Sequence, residues 1–255
     1  MIVLGLVGWG DDTRNLKASL RLAIQITVAA VTAYLLGGLP ALRYGNESLA
    51  IGSLGYIFAV LGIVWSINLF NFMDGIDGLA GSQAVLIFST VAVLLFVRGD
   101  KSLGSIAAVL AASSAGFLAW NWPPAKIFLG DVGSGPIGYI IATLALASEN
   151  HQSVPLLAFA VVYGVFIGDA SVTLIRRLLR GDRLAQAHKD HAYQRLTRAW
   201  GSHKAVTKWT AGVTLLLAMV GAAGAMNARL LLPSLFVAAF LLASLIFAIE
   251  RRAPM

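Results

Sequence analysis

Cysteine is absent from the 255 residues, which excludes disulfides and thiolate metal sites. Charge is scarce as well: 12% of the residues are Asp, Glu, Lys or Arg, against about 25% in an ordinary soluble domain. There is no polar segment of domain size, no low-complexity tract and no internal repeat. The opening residues, MIVLGLVGWGDD, have neither a basic start nor a small-residue cleavage site, so they do not read as a signal peptide. Hydrophobic residues make up 58% of the chain, and its mean hydropathy is +0.79. That is the composition of an integral membrane protein.

The apolar runs fall at 21–41, 48–70, 83–97, 104–120, 134–148, 154–175, 205–226 and 230–249. A run at 1–9 is too short to cross a bilayer. The expected fold is an all-α polytopic membrane helix bundle of about eight full spans plus an N-terminal partial span, one transmembrane domain over 1–255. Alternating the loops puts Arg43, Arg98, Lys101 and Arg229 on one side and the other fifteen of the nineteen Lys and Arg on the opposite side. The richer side is cytoplasmic by the positive-inside rule, with 176–204 as its basic loop. In such a chain a net charge of +7 reports orientation and contact with membrane lipids, not nucleic acid.

Four polar stretches land on that same side. NLFNFMDGIDGLAG, 68–81, spaces Asn68, Asn71, Asp74 and Asp77 three apart, which on a continuing helix would line one face with oxygens. Mg2+ is bound in this way, through one or two carboxylates plus substrate phosphates. IFLGDVGSGPIGY, 127–139, surrounds Asp131 with glycines, and Ser134 and Pro136 suit the start of a helix, whose free N–H groups attract anions. GDDTRNLKASLRL, 10–22, pairs Asp11 with Asp12; adjacent carboxylates repel unless a cation is near, although a helix cap would also explain them. The basic loop carries HKDHAYQRL, where His188 and His191 are unconvincing metal ligands but suitable donors to a diphosphate. Asn121 and Phe128 precede Asp131, and Phe128 is apolar surface or a platform for a base. Asp169 lies inside a span, which makes it a functional candidate or the partner of a nearby arginine.

Together the motifs DD at 11–12, NLFNFMDGIDGLAG, NWPPAKIFLGDVGS and HKDHAYQRL resemble the polyprenyl-phosphate N-acetylhexosamine-1-phosphate transferase family, in order and along nearly the whole chain. The resemblance implies Mg2+-dependent (or Mn2+-dependent) transfer of HexNAc-1-phosphate from a UDP-sugar to undecaprenyl phosphate in the bacterial inner membrane, with release of UMP. It implies Asp131 and Asp77 as metal ligands and Asp11, Asp12 and Asp131 as catalytic residues. Asn68, Asn71, Asp74, Asp77, Asn121, Phe128, His188 and His191 would bind substrate, with Phe128 stacked on uracil. A homodimer is the expected assembly. Against the family, the chain is expected to lack the first helices and the first cytoplasmic loop, which contributes to the nucleotide-sugar site. Asn15 stands where the peptidoglycan branch has lysine, and HKDHAYQRL is similar to the form found in O-antigen-initiating enzymes. Both features favour surface polysaccharide over peptidoglycan, with GlcNAc or a 6-deoxy relative as the sugar. The alternatives are an intramembrane prenyltransferase, which would not need the GDVGS turn, and a cation-coupled transporter, which expects carboxylates near the bilayer midplane.

Overall fold

The computed structural model describes residues 1–14, 16–182 and 189–253. Its elements run α1 (Ile2–Arg14), α2 (Ala18–Leu36), β1 (Ala41–Tyr44), β2 (Glu47–Ala50), α3 (Leu54–Phe72), α4 (Leu79–Val97) and α5 (Lys101–Asn121). There follow α6 (Gly130–Asn150), α7 (Leu156–Val162), α8 (Gly164–Leu179), α9 (Ala192–Trp200), α10 (His203–Met226) and α11 (Ala228–Arg252). Each long helix is an apolar run that satisfies its own backbone, the form a hydrocarbon environment demands. The core gathers around α4, whose Leu79, Phe88, Val91 and Leu95 are buried against neighbours such as Phe70 and Phe166.

Among the described residues, six helices are long and apolar enough to cross a membrane, or seven if the α7–α8 pair is one span. The sequence led us to expect about eight. The run at 134–148 became α6, which carries Asp131 and Glu149 at its ends and is not one of the six. The run at 154–175 is broken at Tyr163 into α7 and α8, bent by 80°. A small hairpin also departs from the all-α expectation. Its strands pair Ala41 with Ala50 and Tyr44 with Glu47 across a Gly45-Asn46 turn, and Gly45 supplies the positive φ of 87°.

Two close helix approaches position the polar chemistry. At Gly8 of α1 an added Cβ would collide with the backbone of Asp131 and Val132, so α1 lies directly on the first turn of α6. At Gly138 of α6 an added Cβ would meet the Ser66 carbonyl of α3, and Ser66 Oγ donates to the Gly138 carbonyl at 2.6 Å. Small residues permit such backbone contact between membrane helices. The C-terminal ends of α1 and α3 are thereby set against the N-terminus of α6. The opposite end of the bundle is closed by a buried ion pair, Arg43 Nε to Glu149 Oε1 at 3.1 Å, and by the Asn150 amide on the carbonyls of Leu36 and Gly38.

Candidate active site

The site is built on the N-terminus of α6. Gly130 enters it at φ +62°, and an added Cβ there would approach Asp12 Oδ2 to 2.7 Å, so only glycine fits. The helix starts at Gly130, one turn earlier than Ser134 and Pro136 led us to expect, and Asp131 therefore lies in its first turn. Asp12 caps this turn from α1: its two carboxylate oxygens accept from the N–H groups of Asp131 and Val132 at 3.0 and 3.1 Å. That satisfies free donors of the helix start with a negative charge, which the helix dipole favours. Asn71, near the end of α3, donates its Nδ2 to Asp131 Oδ1 at 2.6 Å and to Ser134 Oγ at 3.0 Å. Arg21 of α2 donates Nη1 to Asp131 Oδ2 at 3.1 Å and to Asp11 Oδ2, while Asp11 Oδ1 accepts from the Leu16 N–H. Residues from three other helices thus converge on Asp131 of α6.

The expected helical face of Asn68, Asn71, Asp74 and Asp77 is not formed, because α3 stops at Phe72. Glycines follow at 75 and 78, the latter at φ +75°, and the two aspartates lie in a loop. Asp74 turns towards α6. Burial and the nearby carboxylates of Asp131 and Asp12 push its pKa up to about 7, although the Gly130 N–H acts in the opposite direction. Asp77 turns elsewhere: Oδ2 accepts from the Ala125 N–H at 3.1 Å, and His203 Nδ1 lies 3.4 Å from Oδ1. Asn68 donates to Gln25 Oε1 and the Val64 carbonyl, both at 2.8 Å. Asn121 is buried, accepting from the Gly78 N–H at 3.0 Å and donating to the Ile127 carbonyl at 2.9 Å. It ties two loops together. Phe128, in contrast, is 75% exposed beside the site.

The last motif forms a clasp. His191 is the N-cap of α9 and forms a capping box with Gln194. It is buried, its ring stacked between Phe72 and Tyr193 at 6.1 and 5.8 Å, with Nδ1 3.3 Å from Asp169 Oδ1. Asp169 also accepts from the N–H groups of Ala192 and Tyr193 at 2.8 and 3.0 Å. Tyr193 donates its hydroxyl to the Phe72 carbonyl at 3.0 Å, and an added Cβ on Gly75 would strike that hydroxyl. The motif therefore props the loop that carries Asp74. His188 and Asn15 lie outside the described residues.

Among the described residues no three His, Cys, Asp or Glu side chains form a ready metal cage. Mg2+ asks for less, one or two carboxylates with the remainder from phosphates and water. Asp131 fits that role, with Asp74 and Asp12 as further negative charge whose crowding a cation would relieve. Asp77, expected as a second ligand, directs its carboxylate to Ala125 and His203 instead. Sequence reasoning did not single out Arg21, which reads as one more basic residue at a helix start, or Ser134 as a partner of Asn71. It raised Asp169 as a functional candidate or the partner of an arginine, where the partners are the start of α9 and the His191 ring.

Residues 1–149 match glycosyl transferase family 4. A probable undecaprenyl-phosphate N-acetylglucosaminyl 1-phosphate transferase of Bacillus subtilis is 35% identical over 209 residues, covering 80% of this chain and 57% of that protein. A phospho-N-acetylmuramoyl-pentapeptide-transferase of Streptococcus thermophilus is 32% identical over 178 residues, 64% of this chain and 51% of its own. The corresponding transferase of Staphylococcus haemolyticus is 28% identical over 230 residues, 83% of this chain and 70% of its own. The chain thus spans little more than half the length of the first two relatives. The chain belongs to glycosyl transferase family 4, the polyprenyl-phosphate N-acetylhexosamine-1-phosphate transferase family that its four motifs resemble.

Proposed function

We propose that this protein transfers a HexNAc-1-phosphate from a UDP-sugar to undecaprenyl phosphate at the cytoplasmic face of the bacterial inner membrane. The observation that carries the reading is the convergence of Asp12, Asn71 and Arg21 on Asp131, at one end of a bundle of apolar helices. In the reaction, an oxygen of the lipid phosphate forms a bond to the β-phosphorus of the donor. The bond from that phosphorus to the bridging oxygen breaks, and UMP carries the electron pair away. Phosphoryl transfer asks mainly for positioning and neutralised charge. A divalent cation, Mg2+ or Mn2+, held by Asp131 supplies neutralisation at the diphosphate. Asn71 orients the Asp131 carboxylate, and Asp12 fixes the helix turn that presents it. Asp11 is placed to position the lipid phosphate or take its proton. Phe128 offers an exposed ring to the uracil. An apolar cavity of about 210 Å3, lined by Phe58, Trp65, Leu69, Ile141 and Phe159 among others, would accept part of the prenyl chain.

Similarity to the Bacillus transferase and the HxxHAYQ form of the last motif support GlcNAc or a relative as the sugar, and surface polysaccharide such as O-antigen as the product. A homodimer is part of the same proposal. The test uses membranes containing the protein, undecaprenyl phosphate and a panel of labelled UDP-HexNAc donors. Label should enter the lipid phase with one donor, stop with EDTA, and fall by at least about a hundredfold in Asp131→Asn, the scale of losing an electrostatic stabiliser. Transfer that persists in Asp131→Asn would defeat the assignment of the site.

A further inference from the structure

Arg21 sits in the first turn of α2 and is one-third exposed. A single nitrogen, Nη1, serves two carboxylates from elements far apart in sequence, Asp11 of α1 and Asp131 of α6. Without a positive charge between them the two carboxylates would repel. The protein supplies that charge from its own chain. The surroundings stay negative nonetheless, since Asp12 and Asp74 bring two more carboxylates to the same helix start. A divalent cation on Asp131 would meet the guanidinium on the same carboxylate, and like charges so close repel.

We propose that Arg21 is the counter-cation of the metal-free site, bridging Asp11 and Asp131 until a divalent cation takes its place on Asp131. The inference rests on the cation reading of Asp131 and adds to it a positioning residue and an order of events. While Arg21 bridges the pair, Asp11 is occupied by the guanidinium and by the Leu16 N–H. Cation binding would free the guanidinium from Asp131 and leave it on Asp11 alone, a single pairing that an arriving lipid phosphate can compete for. The cation therefore precedes the acceptor.

Mn2+ titration of the purified protein, with free Mn2+ read by electron paramagnetic resonance, tests this without any turnover. Arg21→Gln removes the competitor and should bind Mn2+ about tenfold more tightly than the wild type, the factor equivalent to about 1.4 kcal/mol. Arg21→Lys keeps the charge but loses the planar fork, and should bind about threefold more tightly. Asp131→Asn should lose the site. In EDTA, Arg21→Gln should melt below the wild type, and Mn2+ should raise its midpoint more than it raises the wild-type midpoint. Equal or weaker Mn2+ binding by both Arg21 variants would overturn the exchange and leave the cation site standing. Binding in the wild type that is absent, or indifferent to Asp131→Asn, would overturn the exchange together with the cation site.

Discussion

Asp74 shows at the scale of one residue what the site costs the fold. Its carboxyl is held near pKa 7 against an ordinary 3.8, because burial and the charges of Asp131 and Asp12 disfavour ionisation. A carboxyl whose folded pKa is raised contributes stability that is complete below the unfolded pKa and is lost as pH rises through the folded one. In EDTA the melting midpoint should therefore fall between about pH 4 and pH 7, by several degrees. Asp74→Asn should flatten that slope and be more stable than the wild type at pH 8. A midpoint in Asp74→Asn that still falls over the same range as steeply as in the wild type would assign the slope to another group. Much at this scale was legible beforehand. Asp11, Asp12, Asn71, Asp74 and Asp131 stand out as oxygen-rich side chains beside apolar runs, and they do meet. Arg21 was hidden because a basic residue at a helix start already has an explanation in membrane orientation. Asp169 stood out, but its role at the start of α9 did not, because two of its partners are backbone N–H groups, which leave no trace in side-chain identity.

At the scale of elements, the site depends on where helices stop and cross. α3 ends at Phe72, which sends Asp74 to α6 and Asp77 to the 121–125 loop and α10. Three-residue spacing could not report this, since the spacing persists in sequence whether or not the helix does. The α7–α8 bend and the Gly45-Asn46 hairpin were missed for a related reason: apolar runs report burial in lipid, not the path of the backbone through it. The crossings are more readable in hindsight, as glycines with a backbone on their open side. Gly8→Val should push α1 off the first turn of α6 and take Asp12 from the N–H groups of Asp131 and Val132. Overpacking of this kind costs about 1–3 kcal/mol. We expect a lower melting midpoint and Mn2+ affinity reduced along with it. Gly5→Val serves as the comparison, since a Cβ at Gly5 meets only an ordinary contact at 3.8 Å, and it should be near neutral.

For the whole molecule, the motifs assemble at one end of a helical bundle, and many of the basic residues, such as Arg14, Arg176, Lys204 and Arg251, lie in the helix turns nearest that end. Loop alternation grouped these segments from Lys and Arg alone, and segments of that group touch one another, as in Asp77 with Ala125 and Arg195 with the Ala253 carbonyl. Which face of the membrane that end occupies is a separate matter, and the absence of cysteine makes it easy to probe. A membrane-impermeant maleimide should label Asn46→Cys in intact cells and Arg180→Cys only after the membrane is opened. Labelling in the reverse pattern would turn the site outward.

The central claim is that a phosphorylated sugar, not the sugar alone, moves to lipid. It is tested most directly with a UDP-HexNAc donor labelled at the β-phosphorus, supplied to membranes containing this protein and undecaprenyl phosphate. The account predicts that the phosphorus label enters the lipid phase in equal amount to the UMP released. Label remaining in water as UDP, while the sugar passes to lipid, would contradict it.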